Sequence, residues 1–164
     1  MSPEATRKSP TPAKTATESA VARNAKQGKP PQFKLERVFS ATPDRLWKAW
    51  TDPKQYAKWL NPGKHDLKIL AWDLRVGGEC KFIMPLDDGT ERPDGGVFFV
   101  LDQPKHLVSG SPDKSFLIDV TFTPVDAKRT RVNIVVDGMP AEWHSMASEG
   151  WGRSLTKLQK IVEA

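Results

Sequence analysis

Two segments in the second half of the chain repeat their apolar residues at every second position, the period of a β-strand with one buried face. The first, SFLIDVTFTP, places alternate residues from Phe116 to Phe122 on one face and Asp119 on the other. The second, TRVNIVVDG, does the same from Val132 to Val136. Strands of this kind pair in antiparallel sheets that bury one face and leave the other partly wet.

Further strand-like segments surround these two. FKLERVFS alternates from Phe33 to Phe39, HDLKILAWDL and ECKFIMPL are separated by the turn RVGG, and GVFFVLDQP and the short HLVSG follow. The stretch DDGTERPDGG, residues 87–96, has the composition of a polar loop or an edge turn. Together these segments predict an antiparallel meander.

Two short helices are expected between the first strand and the others. In ATPDRLWKAW, Thr42 is a suitable N-cap and Pro43 a suitable first helical residue. Asp52 and Pro53 repeat that signal, and residues 61–63, Asn-Pro-Gly, end the second helix.

The last segment, PAEWHSMASEGWGRSLTKLQKIVEA, predicts a long helix with Pro140 in its first turn. Gly150 and Gly152 each cost about 1 kcal/mol relative to alanine inside a helix, so a packing or ligand reason is expected for them. The order of elements indicates an α+β fold in which a curved antiparallel sheet wraps around the terminal helix. The apolar stripe of that helix consists of Ala147, Trp151, Leu155, Leu158 and Val162, extended backwards by Trp143.

The charge of the chain is concentrated at its N-terminus. Of the net charge of +5, residues 1–32 carry +4 and residues 33–164 only +1. Residues 1–32 are rich in Ala, Thr, Ser, Lys and Pro and contain no aromatic residue, so we expect a disordered basic tail before one domain spanning 33–164. Contact with nucleic acid is therefore expected only through the tail.

Other features of the sequence limit the setting. No run of about 18 apolar residues is present, and the N-terminus lacks the apolar core of a secretory signal. Cys80 is the single cysteine, so no intrachain disulfide can form. We therefore expect a cytoplasmic protein.

Four segments resemble a known family in the right order: RVFSATPDRLWKAWTDPKQYAKWL with NPG after it, WDLRVGGECKFIM, DDGTERPDGGVFFVLDQPKHLV and EGWGRSLTKL. They are similar to the START-like, or SRPBCC, superfamily with the helix-grip fold. Within it they resemble the branch named after the C-terminal domain of the activator of heat-shock-protein-90 ATPase. The resemblance covers about residues 33–162. The chain departs from it in reading WLNPG where the branch has WWxP, and the basic tail is not shared.

The resemblance implies a cavity between the sheet and the terminal helix that holds a hydrophobic small molecule without catalysis. Aromatic and Met side chains suit such a site, although a filled core would use the same residues. We expect Trp47 to be structural, and Trp50 and Trp59 to be the first residues to test for ligand contact. The full set of candidate ligand-binding residues is Trp50, Trp59, Phe82, Met84, Phe98, Phe122, Trp143, Met146 and Trp151, with Trp72 beside them.

Two other classes of function stay open. One is a co-chaperone-like module that acts on a heat-shock ATPase, and the other is a cyclase, dehydratase or hydrolase with a hydrophobic substrate. The motifs HExxH, CxxC, GxSxG and the P-loop are absent, and we expect no metal and no cofactor. His144 and Glu149 are the only catalytic candidates, and they are weak ones because, five positions apart on the predicted helix, they do not share a face well.

Overall fold

The computed structural model describes residues 32–164, and the tail predicted for residues 1–32 lies outside them except for Gln32. The seven strands are β1 (Phe33–Phe39), β2 (Lys68–Trp72), β3 (Glu79–Pro85), β4 (Glu91–Asp102), β5 (His106–Gly110), β6 (Leu117–Pro124) and β7 (Thr130–Asp137). The helices are α1 (Pro43–Thr51), α2 (Pro53–Trp59) and α3 (His144–Val162), with a 3-10 turn (Ala141–Trp143) directly before α3.

All seven strands form one antiparallel sheet in the order β1-β7-β6-β5-β4-β3-β2. Irregular pairing between Ile69 and Ala71 in β2 and between Phe98 and Val100 in β4 marks β-bulges, which bend a sheet. The three helices pack on its inner face, where α1 contacts β6, α2 contacts β2 and α3 contacts β1. The predicted helix-grip fold is confirmed.

Side-chain caps explain why two helices form where one continuous helix would otherwise run. Thr42 Oγ1 accepts a hydrogen bond from the backbone N–H of Arg45 at 3.2 Å, and Asp52 Oδ1 accepts one from Lys54 at 3.0 Å. A proline follows each cap, as predicted. Asp52 has an extended backbone, so the chain changes direction between α1 and α2.

The polar loop predicted for residues 87–96 is wrong in its second half, because β4 already begins at Glu91. Pro93 is tolerated there since β4 pairs only with β3 at that point and meets β5 first at Val97, so the missing N–H faces an unpaired edge. Gly95 has a φ of +112°, and a Cβ on it would lie 2.0 Å from the carbonyl oxygen of Cys80. Glycine therefore allows β3 and β4 to approach closely.

The terminal helix also starts later than predicted. Pro140 stands before the 3-10 turn, and the α-helix begins at His144. No helix within residues 32–164 is long and apolar enough to cross a membrane.

Alanine substitutions at two glycines are expected to change stability in opposite directions. A Cβ on Gly152 in α3 would meet no atom within 4 Å, so Gly152→Ala should raise the free energy of unfolding by about 0.5–1 kcal/mol. Gly95→Ala should lower it by about 2 kcal/mol or more, because of its positive φ and the clash with Cys80. Urea unfolding of both variants and the wild type measures the difference, and a stabilised Gly95→Ala variant would contradict the strand pairing.

Candidate functional site: an apolar groove beside the terminal helix

The two halves of α3 differ in burial. Ser154, Leu155, Leu158 and Val162, all in its C-terminal half, are buried, whereas none of residues 144–152 is. The apolar stripe nevertheless runs along the whole helix. The helix is therefore anchored by its second half, and its first half stays partly open to solvent.

Apolar side chains on both sides of this opening are only partly buried. Ala147 and Trp151 continue the stripe of α3, and Phe116, directly before β6, and Ile118 within it are in phase with the buried Val120. All four pack against the main core, but none is closed off from water. We call the strip that they line the α3 groove.

Six of the nine predicted ligand-binding residues lie in the core. Trp50 packs edge-on against Trp59, with ring centroids 4.5 Å apart, and against Phe122 at 5.5 Å. Trp59 is fully buried, and its indole N–H donates to the carbonyl oxygen of Ala49 at 2.9 Å. Such edge-to-face pairs and a satisfied indole N–H are typical of packed interiors. The buried six are Trp50, Trp59, Phe82, Met84, Phe98 and Phe122.

The other three predicted residues lie at the opening or outside it. Trp151 is partly buried in the α3 groove, but Trp143 and Met146 are 53% and 67% exposed. Trp47, expected to be structural, is buried with its ring 5.9 Å from Phe122.

The weak catalytic candidates are not brought together. His144 Nε2 lies 2.9 Å from the carbonyl oxygen of Met139, and its ring packs edge-on against Phe33. Glu149 is exposed, and within residues 32–164 no hydrogen bond or ion pair links it to His144. Nor do three His, Cys, Asp or Glu side chains meet in a metal-binding arrangement anywhere in that range.

Tyr56 connects the main core to a second cluster under β2 and β3. Its ring lies 5.1 Å from that of Trp72 and 6.0 Å from that of Phe82, and it packs against both clusters. The side chain remains partly exposed, and its hydroxyl has no hydrogen-bond partner among the described residues. Burial, followed by the neighbouring Cys80 and Asp94, raises the pKa of Tyr56 well above its ordinary value, so the phenol stays protonated.

Two charged residues of β4 lie on the inner face of the sheet. The register pairs Arg92 with Met84 and Asp94 with Phe82, and both partners are buried inward. Arg92 Nη2 lies 3.4 Å from Met84 Sδ and 3.5 Å from Asp94 Oδ2. The two charged side chains keep 57% and 44% of their surface exposed, so the inner face is open at this point.

The loop after α2 is clamped to the anchored half of α3. Ser154 Oγ donates to the carbonyl oxygen of Leu60 at 2.6 Å, and Lys157 Nζ donates to that of Asn61 at 2.6 Å and to that of Gly63. Burial lowers the pKa of Lys157, and the nearby Asp66 and Asp87 oppose that shift. These contacts join two of the segments on which the family resemblance rests, NPG and EGWGRSLTKL.

One of the helix glycines and a buried amide complete this clamp. A Cβ on Gly150 would lie 3.7 Å from Pro62 Cγ, so α3 passes close to the loop. Asn61 is buried, with its Nδ2 donating to the carbonyl oxygen of Pro85 at 2.8 Å and its Oδ1 accepting from the N–H of Gly63 at 3.0 Å. The loop is therefore fixed on both sides.

Two surface clefts lie away from the predicted ligand site. One, of about 390 Å³, is lined by His65, Asp66, Lys68 and the turn between β3 and β4. The other, of about 350 Å³, lies on the outer side of the C-terminal end of α3. None of the nine predicted residues lines either cleft, whereas Trp151 lies in the α3 groove, which we therefore take as the candidate site.

Comparison with known proteins places the chain in a family. The family described as Activator of Hsp90 ATPase homolog 1-like protein matches residues 40–163. The chain belongs to it. Among curated proteins, no similar sequence was found.

Solved structures of similar proteins share the fold of this Activator of Hsp90 ATPase homolog 1-like chain. Protein CV1439 from Chromobacterium violaceum is 29% identical, with a TM-score of 0.71 over 81% of this chain and 97% of that one. An AHSA1-like protein from Aeromonas hydrophila is 24% identical, with a TM-score of 0.68 over 81% and 92%. Protein NE0264 from Nitrosomonas europaea is 21% identical, with a TM-score of 0.69 over 80% and 94%.

Asp94 was absent from the predicted site because residues 87–96 have the composition of a loop. The missing signal is the period of two that runs back from the buried Phe98 through Gly96 to Asp94 and Arg92. Extending the strand by that rule places both charges on the inner face.

Removing the clamp should loosen α3. Ser154→Ala leaves the Leu60 carbonyl without its donor, and Lys157→Met keeps the aliphatic stem but removes two hydrogen bonds. Each should lower the free energy of unfolding by about 1–2 kcal/mol. Lys160→Met, on the exposed side of the same helix, is the matched control and should change it by less than about 0.5 kcal/mol. Equal effects of Lys157→Met and Lys160→Met in urea unfolding would argue against the clamp.

Proposed function

We propose that this protein binds a hydrophobic small molecule in the α3 groove, without catalysing its conversion. The observation that carries the proposal is the contrast within α3. Its apolar stripe continues from the buried C-terminal half into the N-terminal half, which contains no buried residue. The domain alone gains little from leaving Trp151 and Ala147 partly exposed beside an open inner face, whereas a ligand would cover them.

The family and the fold support the same class of function. Members of the START-like superfamily, which the chain resembles, commonly hold apolar molecules between the sheet and the terminal helix. In this protein the floor of that space is filled by the aromatic core around Trp50, Trp59 and Phe122. The bound molecule would therefore lie against Trp151 and Ile118, nearer to the protein surface than a ligand in a deep cavity.

A neutral fluorescent probe tests the proposal. N-phenyl-1-naphthylamine should gain fluorescence on binding the wild type. Ala147→Phe should weaken that binding about tenfold, because the added phenyl ring takes space that the probe occupies. Loss of buried probe surface equal to two methylene groups costs roughly 1.5 kcal/mol of binding free energy. Ala127→Phe makes the same change in an exposed turn and should leave the affinity unaltered. Thermal melting confirms that both variants fold. No fluorescence gain with the wild type, or equal affinities of the two variants, would reject the groove as the ligand site.

A second candidate is the activation of a heat-shock ATPase, which the family's description names. One observation favours it over a purely ligand-binding role. Trp143 and Met146 stand largely exposed one turn apart at the start of α3, and exposed aromatic and Met side chains are common anchors in protein interfaces.

That candidate predicts that the protein raises the ATPase rate of purified Hsp90 and that the double variant Trp143→Ser, Met146→Ser loses most of this stimulation. Leu70→Ser and Val76→Ser, which remove exposed apolar side chains near the β2 edge, form the control pair. Stimulation that survives in the Trp143 and Met146 variant would place the partner surface elsewhere, and no stimulation at saturating protein would dismiss this role.

A further inference from the structure

The packing of the domain leaves one pair of opposite charges on the mostly apolar inner face unexplained, whereas Arg37, the charge on the inner face of β1, is bonded to α3. Arg92 and Asp94 occupy positions in phase with the buried Phe98, where strand alternation calls for apolar side chains. Both charges are more than two-fifths exposed, so their mutual attraction adds little to stability. They therefore face an open part of the inner surface.

Tyr56 adds a third polar group near Asp94, whose charge helps to raise the pKa of the phenol. Asp94 is the cross-strand partner of Phe82, and the ring of Phe82 lies 6.0 Å from that of Tyr56. Among the described residues the phenol hydroxyl has no hydrogen-bond partner, although its ring packs against Trp72, Trp59 and Phe82. Hydroxyl groups of tyrosines that are held in apolar surroundings usually find a partner.

The walls around these three groups are apolar. Phe82 and Met84 are buried directly beside the charges, and the Trp72 ring lies between Tyr56 and Phe98, tilted to the first at 5.1 Å and edge-on to the second at 5.6 Å. A few polar groups that converge on an apolar surface are the usual arrangement by which a protein orients a small ligand.

We propose that Tyr56, Arg92 and Asp94 form the polar end of the ligand site and select an uncharged amphiphile, with a hydroxyl or carbonyl head and an apolar tail. The inference rests on the proposed ligand-binding function and specifies its ligand class. A protonated phenol donates a hydrogen bond to the oxygen of such a head. Arg92 can donate to the same oxygen, and Asp94 accepts from a hydroxyl.

The opposite charges exclude charged heads. A carboxylate head would be attracted by Arg92 but repelled by Asp94. An ammonium head would be attracted by Asp94 but repelled by Arg92. With the two charges 3.5 Å apart, neither kind of head approaches one without the other. An uncharged head avoids both penalties and satisfies the free hydroxyl of Tyr56.

Displacement of N-phenyl-1-naphthylamine by three eight-carbon competitors tests this selectivity: 1-octanol below its solubility limit, and octanoate and octylammonium below their micelle concentrations. Tyr56→Phe removes only the hydroxyl and should weaken 1-octanol about three- to tenfold, with little change for the probe itself. Asp94→Asn should strengthen octanoate and weaken octylammonium, and Arg92→Gln should do the opposite, each about threefold or more. Glu36→Gln, on the outer face of β1, should change none of these affinities.

The outcomes separate this inference from the function on which it rests. If the probe and all three competitors bind but Tyr56→Phe, Arg92→Gln and Asp94→Asn alter no affinity, the polar end is wrong while the groove stands. If 1H–15N NMR titration of the full chain shows no shifts with the probe or any competitor, both proposals fail. Shifts confined to Tyr56, Arg92, Asp94 and Trp151, with the predicted changes in the variants, support both.

Discussion

The burial of Leu155, Leu158 and Val162 is the contact on which the rest of the structure depends. These three side chains fix the C-terminal half of α3 between β1, α1 and α2. Arg45 strengthens the junction, because its guanidinium donates to the carbonyl oxygen of Ile161 in the last turn of α3 at 3.2 Å and to Gln55 Oε1 at 2.7 Å. With one end of the helix held so firmly, its other end extends over the inner face and is only partly buried there.

The period of two in the strands and the capping residues made the fold predictable from the sequence. Thr42 and Asp52 act as the caps that their positions indicated, and the inner faces of β6 and β7 are the expected ones. The candidate site was less predictable. Periodicity predicts that the side chains of Trp50 and Trp151 point towards the sheet, but it does not predict whether other side chains cover them. Trp50 meets Trp59 and Phe122, whereas Trp151 is left half-covered.

The same limit explains the two boundary errors. Residues 91–95 of β4 contain Pro93 and Gly95, which act as breakers in most contexts, but here one faces an unpaired edge and the other meets the backbone of Cys80. Whether Pro93 and Gly95 are tolerated depends on where β3 and β5 pair with β4, and this pairing is set by the tertiary structure. Pro140 likewise suits a first helical turn, yet the chain forms a 3-10 turn before His144.

Stability alone does not account for the polar groups on the inner face. An exposed pair such as Arg92 and Asp94 contributes at most about 1 kcal/mol, and apolar side chains at these positions would extend the cluster of Phe82 and Met84. Tyr56 differs from phenylalanine only by a hydroxyl that no described residue engages. Three polar groups that do little for the packing therefore converge on one open, apolar surface, which is the arrangement expected of residues that contact something other than the protein itself.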